Sequence, residues 1–427
     1  MEETQEITPE DKTFDLIVIG GGAAGLMAAG WAARDGNSVL LIEKMEKTAR
    51  KVNITGKGRC NLTNMCTPEE FLAKVRSGAE FFVPSLKAFS IDATCRFFKK
   101  QGVKLEVEQG KRVFPKSGKA YEISDALRWW CHDMGVVVML GSRVEEILQA
   151  GGRVYGVTYT NKRGFRRKAE GRNVLLTTGG ASYPATGSTG DGYAMAHRLG
   201  HHIVEIRPSL VALVSNLPAM KELEGVRLKN ISAQLVVDGS MVASEFGEIE
   251  FSRRGLEGPV ILRMSRTGVD AVIDEKKVEV HLDLKPALTE EILRARIARE
   301  VEQLPSGALA IELLRKMLPR NLVYFVASAA GVHPKTFAHR LTADEVGRII
   351  AAMKRVVFPI TDYGPFEEAI VTAGGVDTAE VDAETLQSKL VKGLYFAGEV
   401  LDLDADTGGY NLQIAFSTGR LASQLRK

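Results

Sequence analysis

The sequence predicts an α/β protein in which one parallel-sheet domain is built from both chain ends. Three observations predict this class. An apolar run at Phe14–Ile19 leads into a glycine-rich turn and a helical stretch, and short apolar strands return after Ala369. Between about residues 195 and 365 the pattern changes to alternating strands up to about 285 and then to helices up to about 355. We therefore expect one domain formed by residues 14–194 and 366–427. Residues 195–365 are expected to form an inserted substrate or lid domain.

Composition narrows the class of protein further. The 427 residues are 45% hydrophobic and 26% charged with a net charge of +3, which is typical of a globular chain of more than one domain. The four cysteines contain no C-x-x-C pair, so a reducing, cytoplasmic compartment is expected. No run of about 18 apolar residues predicts a membrane span. The acidic start does not resemble a signal peptide, and residues 1–13 are expected to form a flexible tail.

The periodicity of apolar residues places the individual elements. Phe14–Ile19 and Ser38–Ile42 are predicted buried parallel strands, and Leu26–Arg34 is the helix between them. The remaining predictions are a helix at 123–135, strands at 136–140, 154–160 and 173–177, short strands at 233–237 and 277–282, mostly helix at 288–355, a strand at 393–397 and a last helix at 411–424.

The glycine-rich turn carries the first functional signal. Gly20, Gly22 and Gly25 form G-x-G-x-x-G between a predicted strand and a predicted helix, and Glu43 ends the next strand. The glycines permit a tight turn, close approach of a pyrophosphate and close helix packing, while the helix N-terminus presents free N–H groups. A carboxylate at the position of Glu43 can accept hydrogen bonds from ribose hydroxyls. The unit predicts a Rossmann-like dinucleotide-binding domain, with no choice yet between NAD and FAD.

Two further segments favour FAD. Residues 51–64, K-V-N-I-T-G-K-G-R-C-N-L-T-N, are predicted to form a loop that supplies backbone N–H groups and positive charge to a pyrophosphate, although a solvated surface loop is an equal alternative. Residues 393–420 read as strand, glycine-bearing loop and helix, with Glu399 placed to hold a ribityl chain. The N-terminus of that last helix would stabilise negative charge on a reduced flavin. An ordinary strand-loop-helix is the alternative.

At these motifs the chain resembles the BaiN/RdsA family of FAD-dependent oxidoreductases. The resemblance rests on I-G-G-G-A-A-G-L, G-R-C-N-L-T-N, T-G-G-A-S-Y-P, T-A-G-G-V, G-L-Y-F-A-G-E and T-G-G-Y-N-L-Q, which extend from near residue 15 to the C-terminal region. It implies a Rossmann-like FAD-binding domain with an inserted domain, and reduction of activated C=C bonds in steroid-like enones or a ribosomal RNA uridine, or amine oxidation in some members. The chain departs from the family in one stretch, where Arg253 stands in place of a usual histidine.

Together the motifs and the resemblance predict a set of cofactor-binding residues. We expect FAD to contact Gly20, Gly22, Ala23, Ala24, Gly25, Glu43, Lys51, Gly58, Arg59, Cys60, Asn61, Val144, Gly180, Gly398, Glu399, Gly409, Asn411, Leu412, Gln413 and Ile414. Because only one G-x-G-x-x-G occurs, NAD(P)H is expected to visit the flavin transiently as reductant, without a domain of its own.

Catalytic assignments are less determined by sequence. Cys60 is the candidate catalytic acid that protonates a substrate carbon, but a small buried residue in a tight loop is the favoured alternative. Tyr183 is either a donor to substrate or a packed aromatic. His201 and His202 are interpreted as structural, and no metal site is expected because their spacing to other ligands fits none.

The prediction for function follows. The chain is expected to be an NAD(P)H-driven, FAD-dependent reductase of an activated C=C bond, with oxidation of a small amine as the enzymatic alternative and a flavin-binding assembly protein as the non-enzymatic one. The basic stretch Lys162–Lys168 is a solvated face or a phosphate-contact patch for RNA. Small-molecule or RNA substrates are therefore expected, with no DNA and no membrane partner.

Overall fold

The computed structural model describes residues 12–425, and residues 1–11 of the predicted tail lie outside this range. The strands are β1 (Thr13–Phe14), β2 (Leu16–Ile19), β3 (Val39–Ile42), β4 (Thr63–Asn64), β5 (Leu105–Glu108), β6 (Arg112–Pro115), β7 (Val137–Met139), β8 (Arg143–Ala150), β9 (Arg153–Thr160), β10 (Arg166–Gly171), β11 (Val174–Leu176), β12 (Ile203–Ser209), β13 (Leu213–Val214), β14 (Arg227–Val237), β15 (Ser240–Phe251), β16 (Gly255–Glu257), β17 (Val278–Asp283), β18 (Val356–Ile360), β19 (Asp362–Tyr363), β20 (Val371–Val376) and β21 (Leu394–Phe396).

The helices alternate with these strands near both chain ends and cluster between residues 290 and 354. They are α1 (Ala23–Arg34), α2 (Arg50–Gly58), α3 (Pro68–Leu72), α4 (Ala79–Ala88), α5 (Ile91–Lys100), α6 (Tyr121–Asp133), α7 (Asp191–Arg198), α8 (Met220–Leu223), α9 (Pro259–Ile273), α10 (Glu290–Glu302), α11 (Ala310–Arg315), α12 (Arg320–Ala329), α13 (Ala343–Lys354) and α14 (Tyr410–Ala422). Within the described range, no helix is both long enough and apolar enough to cross a membrane.

The chain divides into two compact units. One runs to Arg207 and resumes at Ile370, and the other comprises Pro208–Ala369. The first unit contains a parallel sheet in the order β21-β11-β2-β3-β7, so strands from the two chain ends are neighbours. The predicted domain built from both chain ends is confirmed. Strands β2, β3 and β11 are completely buried, as expected for a parallel sheet covered on both faces.

The predicted first strand is corrected in one respect. Phe14 does not continue into β2, because β1 pairs with β10 in a second sheet of order β1-β10-β9-β8. The break falls at Asp15, whose carboxylate accepts hydrogen bonds from the Ser38 amide at 2.9 Å and the Ser38 hydroxyl at 2.8 Å. A polar residue inside an apolar run thus marks where the chain leaves one sheet for another.

The predicted loop 51–64 is also wrong in its first half. Arg50–Gly58 forms helix α2, which is interrupted by non-helical backbone at Thr55 and left-handed backbone at Gly56 and Lys57. The sequence, with its β-branched residues and glycines, has low helix propensity. Burial of the Val52 side chain, 2% exposed, stabilises the helix in a way that local sequence does not reveal.

The second unit is an antiparallel sheet packed with helices. Its strands lie in the order β18-β17-β14-β15-β16-β13-β19, and their neighbouring strands are antiparallel. The helical prediction for 288–355 is confirmed by α10 to α13. The β-rich prediction missed α9, which begins at Pro259 after the left-handed Gly258 and buries Val260, Ile261 and Met264. Its buried residues recur at helical spacing.

Candidate active site

The glycine turn after β2 is closely packed at two of its three glycines. A Cβ atom on Gly20, where φ is +101°, would lie 2.6 Å from the carbonyl oxygen of Thr177, and one on Gly25 would lie 2.0 Å from the carbonyl oxygen of Gly20. A Cβ on Gly22 would meet nothing within 4 Å. Gly22 is the N-cap residue of α1, and no side chain hydrogen-bonds to this helix end. The N–H groups of Ala23 and Ala24 can therefore bind an anion.

Glu43 follows β3 and lies beside this turn. Its carboxylate accepts hydrogen bonds from the Gly21 amide at 2.7 Å and the Met45 amide at 2.8 Å. Burial raises the pKa of Glu43 and outweighs these two hydrogen bonds. The backbone oxygen of Glu43 also accepts the Ser142 amide at 3.0 Å, which places the start of β8, with buried Val144, next to the same loop.

Four side chains from distant segments form what we call the Lys51 network: Lys51, Ser182, Thr372 and Glu399. The Lys51 ammonium donates to Glu399 Oε2 at 2.8 Å and to Ser182 Oγ at 2.6 Å. Glu399 Oε1 also accepts the Ser182 hydroxyl at 2.9 Å and the Thr372 amide at 2.8 Å. Thr372 Oγ1 accepts the amides of Ala181 and Ser182 at 2.8 and 3.1 Å. The predicted residues Lys51, Gly180 and Glu399 are therefore brought together.

The electrostatics of this network favour an ionised carboxylate. Burial alone would raise the pKa of Glu399, but the charge and hydrogen bond of Lys51 and the donors from Thr372 and Ser182 outweigh it and lower the pKa. Gly180 has no room for a side chain, since a Cβ there would lie 2.4 Å from Thr372 Oγ1 and 3.0 Å from Glu399 Oε1. The network is thus a compact charged site whose side chains are about one-fifth exposed at Lys51 and Glu399.

The last helix presents its backbone to the site and its side chains to the protein. Gly409, with φ +98°, precedes α14 and offers no side-chain cap. Asn411 bonds the backbone of Ala405 in both directions, at 3.0 Å and 2.8 Å. Gln413 is fully buried and bonds Thr63 at 2.7 Å. The side chains of Asn411 and Gln413 are therefore used within the protein. Leu412 lies half-buried in the first turn of the same helix, and Ile414 is buried.

Glycines bring this C-terminal region against α1. A Cβ on Gly398 would lie 2.9 Å from the Cβ of Ala24, and one on Gly419 would lie 2.5 Å from the Ala24 carbonyl oxygen. The predicted residues Ala24 and Gly398 are thus neighbours. This approach joins the N-terminal glycine turn to the segment that carries Glu399.

The segment around Cys60 divides into open and buried parts. Gly58 has left-handed backbone and free space around an added Cβ, whereas Arg59 forms an ion pair with Glu108 and lies 4.4 Å from the Phe114 ring. Cys60 is fully buried with φ +57°, and burial raises the pKa of its thiol to about 12. The Arg59 side chain is therefore occupied by Glu108, and the Cys60 thiol stays protonated at neutral pH.

The arrangement fits a dinucleotide with a polar ring system. Asn61 Oδ1 and Thr48 Oγ1 are buried and have no hydrogen-bond partner anywhere in the range 12–425. The open space at Gly22 would admit a pyrophosphate, and two uncapped helices, α1 and α14, begin in the same unit. Unsatisfied buried polar atoms are costly, so a ligand that bonds them explains their presence. The residues present fit FAD.

Comparison with known proteins decides the family. The model of the HI0933-like protein Rossmann domain matches residues 14–425. The chain belongs to this family. The resemblance drawn from its motifs is confirmed, and so is the Rossmann-type fold. Members are FAD-dependent oxidoreductases, so the chain is an enzyme of that class and the flavin-binding assembly protein is set aside.

Three relatives match over nearly their whole length. A 3-dehydro-bile acid delta(4,6)-reductase of Clostridium scindens is 31% identical, over 95% of this chain and 97% of the relative. A ribosomal RNA dihydrouridine synthase of Haemophilus influenzae is 29% identical, over 94% and 96%. The ribosomal RNA dihydrouridine synthase of Escherichia coli is 27% identical, over 96% and 97%.

Solved structures support the fold alone. A 3-ketosteroid delta1-dehydrogenase from Sterolibacterium denitrificans, in complex with 1,4-androstadiene-3,17-dione, has a TM-score of 0.53 at 14% identity and covers 96% of this chain and 98% of that one. A quinol fumarate reductase of E. coli has a TM-score of 0.51 at 18% identity, covering 97% and 69%. Similarity at this level of identity fixes architecture and leaves chemistry to the site.

Sequence reasoning missed two residues of the Lys51 network, Ser182 and Thr372. Both lie in stretches that carried the family resemblance, T-G-G-A-S-Y-P and T-A-G-G-V, but neither was assigned a role. Short hydroxyl side chains next to paired glycines were the available signal.

Other residues singled out by sequence lie apart from this site. Arg253 is exposed in the turn between β15 and β16 of the second unit. His201 is buried between Glu380, at 3.1 Å, and Ser388, at 2.8 Å, and burial lowers its pKa. His202 bonds Asp377 at 3.2 Å. Both histidines hold neighbouring segments together, in agreement with a structural role.

Proposed function

We propose that this enzyme reduces an electron-poor C=C bond and takes its electrons from NAD(P)H. What supports the reaction class is that relatives with unrelated substrates have names that denote the same change: a delta(4,6)-reductase and a synthase of dihydrouridine. Both names denote a reaction that adds two hydrogen atoms to a C=C bond. The substrate is an activated enone or a uridine of RNA.

The observation that carries the proposal is the Lys51 network. It places an ammonium group, held by a carboxylate and a hydroxyl, within the same unit as the glycine turn and α14. Lys51 has three N–H donors, and its protein partners are Glu399 and Ser182. The Glu399 carboxylate balances this charge, so the network fixes polar groups beside the cofactor segment, and the start of α14 is left to favour negative charge that develops in a reduction.

Different residues of the chain would bind different parts of FAD. The start of α1 at Gly22 would bind the pyrophosphate, Glu43 the adenosine ribose, and Glu399 the ribityl chain. The start of α14 would stabilise negative charge on the ring system. When bound, FAD supplies two-electron hydride chemistry, which none of these side chains provides.

The single G-x-G-x-x-G of the sequence bears on how NAD(P)H would bind as reductant. A chain with one such motif, used by FAD, binds the nicotinamide without a second domain of the same type. We retain the proposal that the inserted segment, predicted at residues 195–365, selects the substrate.

Anaerobic stopped-flow spectroscopy of the purified protein tests the proposal. Mixing with NADH or NADPH should bleach the flavin absorbance near its visible maximum, and an enone or a uridine-containing RNA should then restore it. Bleaching by a small amine, with none by either nicotinamide, would replace the proposal by the amine oxidase. Restoration of the absorbance by O₂ alone, and by neither an enone nor a uridine-containing RNA, would also contradict it.

A further inference from the structure

Residues 143–172, comprising β8, β9, β10 and their connections, form a strongly basic surface of the first unit. This segment contains eight Lys and Arg residues and three Glu residues, a net charge of +5. The whole chain has a net charge of +3, so the rest of the molecule is slightly acidic. Positive charge is therefore concentrated on this segment, which we call the basic hairpin.

The tip of the basic hairpin is rigidly formed. The side-chain oxygen of Asn161 accepts the amides of Arg163 at 3.0 Å and Phe165 at 3.1 Å, and Gly164 has left-handed backbone. Lys162 and Arg163 project from this turn and are exposed. Among the described residues, no carboxylate pairs with either cation. Their charge is available to a partner.

Exposed aromatic rings are interleaved with these cations. Phe165 is 55% exposed and lies 5.6 Å from the Arg167 guanidinium, while Tyr155 is 42% exposed and lies 5.1 Å from the Lys168 ammonium. Stacking of bases on such rings, with cations along the phosphates, is the usual way in which proteins bind unpaired nucleic acid.

Carboxylates from outside the segment neutralise two of its arginines, since Arg172 pairs with Asp15 at 2.9 Å and Arg143 with Asp191 at 3.5 Å. The pairs within the segment are more exposed. Arg166 is 3.7 Å from Glu146, and Lys168 is 2.7 Å from Glu170, but all four side chains are about half exposed or more. Ion pairs at this exposure contribute little and exchange readily for other partners. Phosphates can therefore replace these carboxylates.

The basic hairpin also adjoins the loop of Glu43 within its own unit. A Cβ on Gly141 would lie 3.2 Å from the Cβ of Lys162. The Gly141 amide donates to the Met45 carbonyl oxygen at 3.0 Å, in the loop that begins with Glu43. The tip therefore lies near Glu43, at the adenosine end of the proposed cofactor site.

We propose that the basic hairpin binds an unpaired RNA segment, with Lys162, Arg163 and Arg166 on phosphates and Phe165 stacked on a base. The exposed rings favour RNA over an acidic polypeptide, since a peptide would need only the charges. The biological purpose of this surface rests on the proposed reductase function with an RNA substrate, but its binding is tested independently.

The test uses fluorescence anisotropy of a labelled single-stranded oligouridine with the FAD-loaded protein between 50 and 200 mM NaCl. Two triple variants are compared: Lys162→Gln/Arg163→Gln/Arg166→Gln, and the charge-matched control Lys99→Gln/Lys100→Gln/Lys104→Gln. We expect the hairpin variant to bind about tenfold or more weakly at 50 mM and its log–log salt slope to be smaller by about 2, since each phosphate contact to a single strand contributes about 0.7. Phe165→Leu should weaken binding by about fivefold or more.

Three outcomes would overturn the proposal: equal losses in the two triple variants, no binding by the wild-type protein, or competition by polyglutamate as effective as by RNA at equal charge. The last would assign the surface to an acidic protein. Reduction of a small enone by NAD(P)H should be unchanged in the hairpin variant, so failure of the RNA proposal and failure of the reductase proposal are separately visible.

Discussion

The glycine turn and the Lys51 network are two halves of one candidate site, but they are encoded in opposite ways. The turn and its carboxylate occupy one stretch from Gly20 to Glu43, and their contacts are mostly between backbone atoms. The network joins side chains separated by up to 348 residues. Close packing defines the first region, and charge with hydrogen bonding defines the second.

Because of this difference, substitutions in the two regions should affect folding and the site in different ways. A substitution in the glycine turn adds atoms where backbone already lies, and so it should disturb folding first. A substitution in the Lys51 network removes a charge or an acceptor from an intact framework. Its effect should be smaller on folding and specific to the residues that remain unpartnered.

The largest effect is expected in the glycine turn. Gly25→Ala should destabilise the first unit by about 3 kcal/mol, because the added methyl would overlap the Gly20 carbonyl. Gly22→Ala is the matched control, since its methyl meets open space: stability should change by about 1 kcal/mol or less, while FAD affinity falls about tenfold or more. Urea denaturation followed by tryptophan fluorescence reports on this unit alone, because Trp31, Trp129 and Trp130 all lie in it. Equal destabilisation by the two variants would contradict the distinction.

Removal of the cation from the Lys51 network should have the next largest effect. Lys51→Met leaves the Glu399 carboxylate without its ion pair and should cost about 1–3 kcal/mol, less than for a fully buried pair because both side chains are about one-fifth exposed. The double variant Lys51→Met/Glu399→Gln should cost less than the sum of the single variants. Additive losses would mean that the two side chains act independently.

The same pair predicts a pH dependence with a definite sign. The pKa of Glu399 is lowered in the folded protein, so its stabilising contribution is present above the usual glutamate pKa and is lost as pH falls through the lower folded value. The stability difference between wild type and Lys51→Met should therefore shrink below about pH 4. A difference that is constant from pH 7 to pH 3 would show that Lys51 acts through packing.

Thr372 should show a smaller effect that depends on its hydroxyl. Thr372→Val keeps the shape but leaves the amides of Ala181 and Ser182 without their acceptor, at a cost of about 1–2 kcal/mol. Thr372→Ser restores the acceptor and should recover most of the stability and of the FAD affinity, measured by flavin fluorescence titration. If Ser and Val behave alike, the hydroxyl does not organise the network.

The smallest effect is expected at Cys60. Cys60→Ala should cost about 1 kcal/mol through a small cavity, with turnover of an enone changed less than about threefold, if the buried thiol only packs. A fall of about 100-fold in turnover with unchanged FAD content would instead support the candidate catalytic acid. Its thiol, with a pKa of about 12, carries the proton that such a role needs.

Local signals were sufficient for several elements of the cofactor domain. The glycine turn, the strands β3 and β11 and the start of α14 were predicted from sequence, because each depends on contiguous patterns: apolar runs, left-handed glycines and helix starts. The split at Asp15, the helix at Arg50–Gly58 and α9 were not, since their formation depends on partners elsewhere in the chain.

The sequence alone determined the fold class, the class of cofactor and the position of Glu43 beside the glycine turn. Only the tertiary structure decided that Lys51 pairs with Glu399, that Ser182 and Thr372 complete this network, and that the side chains of Arg59 and Gln413 are used within the protein. The physical reason is the sequence distance over which each interaction acts. Backbone conformation responds to neighbouring residues, whereas the partner of a charged side chain is whichever group folding brings within about 3 Å of it.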